Sequence, residues 1–142
     1  MGDFQFAVDG KAFNIVAREL KKVAPQLAKE LNKELKQVMT REVLPDAKSN
    51  ASWSSRIPGA IKPQATTRQV ALRVARKRAP HARPFEGRGG GSFRHPVFGN
   101  RSNWVTQSTR PFLKPALDKN AEKAVDGAQK AIATAAKAAG FR

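Results

Sequence analysis

Residues 13–44 read FNIVARELKKVAPQLAKELNKELKQVMTREVL. Val16, Leu20, Val23, Leu27, Leu31, Leu35 and Val38 follow one another at steps of three or four, which lines them along one face of a helix. Lys21, Lys22, Lys29, Lys33 and Lys36 fall largely off that face. The spacing predicts a long N-terminal helix over 13–44, about 48 Å long at 1.5 Å per residue. Pro25 lacks a backbone donor and crowds the preceding turn, so it either kinks this helix or opens a second one. Pro45 is expected to end the pattern.

Beyond Pro45 the chain changes character. Residues 45–67 carry Pro45, Pro58, Gly59 and Pro63 among Ser, Asn and Thr, and read as loop with a short strand or turn around Ile57–Ile61. Residues 68–75 then alternate: Val70, Leu72 and Val74 face one way, Gln69, Ala71, Arg73 and Ala75 the other, the pattern of a half-buried strand. Pro80, Pro84 and the run Gly87-Arg-Gly-Gly-Gly91 predict a long flexible connection. Phe93–Phe98 and Trp104–Gln107 read as short strands about a turn at Gly99-Asn100. The last segment, 110–139, is helical and Ala-rich, with Thr109 as N-cap and Pro111 in the first turn, where proline is tolerated. Val125 and Ile132 are expected on its buried side, opposite Lys123, Lys130 and Lys137. The fold class is therefore α+β: a long N-terminal helix (13–44), a small antiparallel sheet with long loops (52–107) and a C-terminal helix (110–139), all in one domain spanning 1–142.

The 142 residues carry 27 Lys and Arg against 11 Asp and Glu, a formal charge of +16. The excess is concentrated: residues 68–110 hold ten cations, nine of them Arg, and one acid, Glu86. A charge of this size favours a polyanionic or acidic partner. Arg73, Arg76, Lys77, Arg78, Arg83 and Arg88 run from the strand into the loop and are the candidate contacts to DNA phosphates or to an acidic protein surface. Few aromatics are interleaved with them, which argues against base stacking on single strands. No helix-turn-helix, RNP or zinc-finger signature is visible.

Catalytic chemistry has little material to work with. There is no cysteine, so thiolate zinc sites, disulfides and Cys nucleophiles are excluded. Between Asp46 and Asp118 the sole carboxylate is Glu86, too few acids there for paired-carboxylate or two-metal hydrolysis. His81 and His95 lack zinc-binding spacing. Ser92, His95 and Glu86 can be combined into a triad on paper, but no GxSxG elbow is present. GRGGGSF has neither the spacing nor the Lys of a phosphate loop. The expectation is a non-enzyme without cofactors or metals. No apolar run approaches the roughly 18 residues of a membrane span, and MGDFQFAVDG lacks the basic and apolar regions of a secretory signal; Phe6 fails the myristoylation pattern.

Residues 79–117 carry a recognisable series: Ala79-Pro-His-Ala82, Glu86-Gly87, Arg94-His-Pro-Val-Phe-Gly99, Trp104-Val105 and Arg110-Pro-Phe-Leu-Lys-Pro-Ala116. This series resembles the siphophage neck family, the head–tail joining, tail-completion or tail-terminator proteins. The preceding helix and the Ala-rich helix after it look like that family as well, whereas its TGxLxxS-like strand start is matched only loosely by Ser52-Trp-Ser-Ser-Arg-Ile57. The resemblance implies a structural protein of the virion neck, assembled in the host cytoplasm into a homo-oligomeric ring, six-fold to match a tail tube. Its partners would be further copies of itself, the neighbouring neck or connector protein and the tail-tube protein, with genomic DNA passing the lumen as a further counter-charge and no membrane. His95, Pro96, Phe98, Gly99, Trp104, Pro111 and Phe112 would form the structural motif. Pro96 and Gly99 would shape the turn, and Phe98, Trp104, Phe112 and Leu113 would pack the loop onto the C-terminal helix. A basic protein gripping the DNA backbone through residues 68–110 is the alternative.

Overall fold

The computed structural model of the chain describes residues 4–7, 25–66, 69–87 and 91–138. It is a mixed helix and strand protein with two small antiparallel sheets. Helix α1 spans Pro25–Val38, and a π-helical turn, Met39–Val43, carries it into α2, Leu44–Asn50. The part of the expected long helix before Pro25 lies outside the described residues. Pro45 does not end the helix. In the wide turn the Leu44 N–H donates to the Met39 carbonyl, five residues back. Pro45 follows in the first turn of α2, where its missing donor and its ring are tolerated.

After Ala28, the buried residues along this run are Leu31, Leu35, Met39, Val43, Ala47 and Ala51, spaced four apart from Leu31 onward. An ideal α-helix turns 400° in four residues, so five such steps would rotate the stripe about 200° away from the core. The π-turn takes back part of that drift and keeps the stripe inward.

After α2, Ser54 Oγ accepts hydrogen bonds from the Arg56 and Ile57 amides at 3.3 and 3.2 Å. It thereby opens the helical turn α3, Ile57–Ala60, which leads directly into strand β2, Ile61–Ala65. The strand or turn expected around Ile57–Ile61 is thus a helical turn followed by a strand that runs on to Ala65. Strand β3, Val70–Val74, lies where the alternation placed it: Val70, Leu72 and Val74 are buried and Arg73 is exposed, with Ala71 buried as well. It is the centre of a three-stranded sheet between β1, Phe4–Ala7, and β2, both antiparallel to it. β1 is absent from the sequence-based expectation; four residues are too short for a periodic signal.

The connection after β3 contains a short helix, α4, Ala82–Glu86. Strands β4, Ser92–Val97, and β5, Asn100–Ser108, make the second sheet. The Ala-rich segment is two helices, α5, Leu113–Lys119, and α6, Ala121–Ala138. They are separated at Asn120, a buried residue whose Nδ2 donates to Ala116 O and to Asp46 Oδ2, both at 2.8 Å. That hydrogen bond, followed by the nearby Lys119, holds the Asp46 carboxyl below its ordinary range despite its partial desolvation.

Helix α6 packs on α1 with a face about 100° round the helix from the one expected. Ala124, Gly127, Ala128 and Ala131 are buried, while Val125 and Ile132 are about half exposed. Small side chains let the two backbones approach: a Cβ at Gly127 would meet Val38 Cγ2 at 3.0 Å. Lys123 and Lys130 do not point away from this seam but bridge it, to Glu42 and Glu34 respectively. The Glu42 bond raises the Lys123 ammonium above its ordinary value. Both sides of the seam, the β3 stripe, Phe112 and Leu113 join in one hydrophobic core.

Candidate functional site

Glu86 organises the region from α4 to α5. It is buried, and its carboxylate accepts three backbone hydrogen bonds: Phe112 N–H and Leu113 N–H to Oε2 at 2.8 and 3.0 Å, and Lys114 N–H to Oε1 at 2.9 Å. These are orphan amides of the first turn of α5, where a negative charge is also favoured by the helix dipole. The N-cap is therefore Phe112, served from a distance by Glu86, and not Thr109; Pro111 lies before the helix, and Pro115 occupies the proline-tolerant first turn instead. Phe112 is fully buried, as expected. With both oxygens of Glu86 engaged by amides, and His95 Nε2 bonded to Gln107 Oε1 at 3.0 Å, the paper triad of Ser92, His95 and Glu86 is not assembled. Among the described residues no group of three or more His, Asp or Glu is placed to hold a metal. No helix among them is long and apolar enough to cross a membrane.

The motif Arg94–Gly99 builds a β-hairpin arm. The ladder pairs Ser92 with Ser108 through Pro96 with Trp104. Pro96 cannot donate to a ladder, and the register breaks directly after it, leaving Arg101, Ser102 and Asn103 as a bulge before Val97 pairs with Asn100. The turn is Phe98-Gly99, one residue earlier than expected, with φ of +49° and +76°. Two positive φ values match the right-handed twist of a tight hairpin. Glycine accepts this conformation freely; Phe98 holds it at a cost.

Among the described residues the arm is anchored at its base. Phe93 meets Phe85 edge-on at 5.1 Å, Phe85 meets Trp53 at 4.6 Å, and the Arg110 guanidinium lies 5.4 Å from the Trp53 ring centre. His81 adds an edge contact to Phe85 at 6.2 Å and shares a hydrogen bond with Ser54 Oγ at 3.2 Å. Backbone bonds from Thr109 N–H to Gly91 O and from Arg110 N–H to Phe85 O close the base at 3.0 and 2.8 Å.

Farther out His95, Pro96 and Val97 of β4 are half-buried, while β5 is almost wholly exposed. Phe98, at 104% relative exposure, and Trp104, at 46%, do not pack on the C-terminal helix. Trp104 instead donates from Nε1 to the Arg101 carbonyl at 2.7 Å and carries the Arg94 guanidinium 6.0 Å from its ring centre. Of the nine residues of β5 only Gln107 is partly covered. The motif residues thus divide: Phe112 seals the core, His95 and Pro96 shape the arm, and Phe98, Gly99 and Trp104 stand at its outer part.

The predicted basic band is exposed but not one patch on one element. Arg73 lies on the outer side of β3, paired in register with Lys62; Arg76, Lys77 and Arg78 form the turn after it; Arg83 is on α4 at the arm's base. Arg88 lies outside the described residues. Sequence reasoning missed Arg94 and Arg101 as candidates, although a segment from Gly87 to Leu117 without one carboxylate was there to be read. No protein-family model, curated protein or solved structure matches this chain.

Proposed function

We propose that the chain is a structural subunit of the phage neck, a tail-completion or tail-terminator protein whose copies close into a ring between the head connector and the tail tube. The observation that carries this reading is the arm, assembled from the very residues that resemble the neck family, Arg94–Gly99 and Trp104. A two-stranded hairpin is marginal by itself in water, and an isolated molecule gains nothing from an aromatic at its tip. A subunit that meets neighbours does. In this reading the chain works by contact, without cofactor or catalysis, and resides in the virion. Six copies of the +9 segment 68–110 would put +54 in one ring, so acidic surfaces of the adjoining neck or tail protein face Arg73, Arg76, Lys77, Arg78 and Arg83, with DNA in the lumen sharing the neutralisation. A cryo-EM map of the neck of virions encoding this chain tests it: ring density that takes the α1–α6 body and the arm is expected, and a neck without this chain overturns it.

The second reading, a DNA-backbone binder, is favoured by the carboxylate-free stretch from Gly87 to Leu117. It requires sequence-independent binding whose affinity falls with salt by a log–log slope of about 0.9 per phosphate neutralised.

A further inference from the structure

Five large hydrophobic side chains are exposed among the described residues, and they form two groups. Phe98, Trp104 and Val105 lie on the arm; Val125 and Ile132 lie on α6. The groups differ in charge. The arm carries Arg94 and Arg101 and no carboxylate. On α6, Val125 and Ile132 are two turns apart on one face, and Glu122 and Asp126, one turn apart from each other, form an acidic flank beside it, with Glu122 one turn before Val125. Neither acid makes an ion pair among the described residues. The neighbouring Lys123 and Lys130 are instead drawn to Glu42 and Glu34 on the other side of the helix.

We infer that the arm of one copy docks on the outward face of α6 of the next copy, head to tail. The inference rests on the ring reading and specifies its interface. Phe98, presented at the tip by its positive-φ turn, covers Val125 and Ile132, and Arg94 and Arg101 meet Glu122 and Asp126. Two different surfaces are joined, so the contact is heterologous, the kind that closes rings. A second copy is the occupant because both complementary surfaces are on this chain and one contact covers both. DNA would take the arm but leave Val125 and Ile132 bare, and its phosphates would repel Glu122 and Asp126. Salt separates the two. Association of two +16 chains is opposed at long range and strengthens as moderate salt screens that repulsion, whereas DNA binding weakens with salt.

The absence of cysteine makes the contact directly testable in the full chain. Phe98→Cys and Val125→Cys are made as separate proteins, mixed and mildly oxidised. A cross-linked product of twice the chain mass is expected in the mixture at more than about tenfold the yield of either protein alone, and the F98C/V125C double variant should give a ladder. Ile132→Lys should keep the wild-type circular dichroism spectrum and weaken self-association about tenfold or more. A native-mass multimer without the mixed cross-link overturns this contact and leaves the ring standing. A chain that stays monomeric at every concentration, uncross-linked, overturns the contact here, while the neck map decides the ring separately. Retention of random-sequence duplex DNA, lost on Phe98→Gly and unaccompanied by the cross-link, would assign the arm to a nucleic-acid groove instead.

Discussion

Two aromatic motifs separated by five residues of chain meet opposite fates. Arg110–Ala116 is folded inward: Phe112 and Leu113 are fully buried and their amides are held by Glu86. Arg94–Trp104 is folded outward, with its aromatics in solvent around a strained turn. The difference lies in what each backbone can satisfy. A helix start can be sealed if one acid reaches its free amides. A two-stranded ribbon interrupted by Pro96 has no such partner among the described residues of the body and is held there at its base, Phe93 against Phe85. Similar residue types therefore support folding in one motif and recognition in the other.

The largest test of this contrast is Phe112→Ala. Removing a fully buried phenyl group costs about 3–5 kcal/mol, a large share of a small domain's stability, so chemical denaturation should find the variant largely unfolded or far less stable. Glu86→Ala comes next. It strips the acceptor from three amides in a buried position, with an expected loss of about 2–4 kcal/mol; Glu86→Gln, which keeps one oxygen, should lose less.

A smaller effect belongs to pH. Asp46 has a lowered pKa in the folded chain, because Asn120 and then Lys119 favour its charged form. Its contribution is therefore present above the ordinary carboxylate value of 3.8 and is lost as pH falls through the folded value. Asp46→Asn removes that contribution, so it should lower the melting temperature slightly at neutral pH and leave it unchanged below the folded pKa, which flattens the acid limb of a thermal-stability profile. At the other extreme stands Trp104→Ala, which should move stability by less than about 0.5 kcal/mol, the ordinary range for surface positions, while reducing assembly. A collapse of folding on Trp104→Ala would erase the contrast between the motifs.

Legibility in the sequence followed the same divide. Strand β3 was readable because Val70, Leu72 and Val74 alternate with residues of another kind, and the arm because turn residues separate two short β-prone runs. Helix α1 was readable from its apolar steps. The inward face of α6 was misread: Val125 and Ile132 are the largest apolar residues there, but close packing against α1 selects the smallest, Ala124, Gly127, Ala128 and Ala131. The expectation that Phe98 and Trp104 pack on the C-terminal helix came with the family resemblance, and both are exposed. Glu86 as a cap was out of reach, since its partners Phe112–Lys114 lie more than twenty residues away. The continuation past Pro45 did leave a trace, the strict spacing of four from Leu31 to Ala51, which no ordinary α-helix sustains on one face.

That spacing has a consequence for the length of the chain. The wide turn at Met39–Val43 holds one residue more than an α-turn needs, so a deletion there would let the helix close up without displacing what precedes or follows it. The turn is also what makes room for Pro45. With the extra residue gone, the proline ring would meet the carbonyl four residues back. A relative one residue shorter in this segment should therefore carry something other than proline at the equivalent of Pro45, the two changes being tolerable only together.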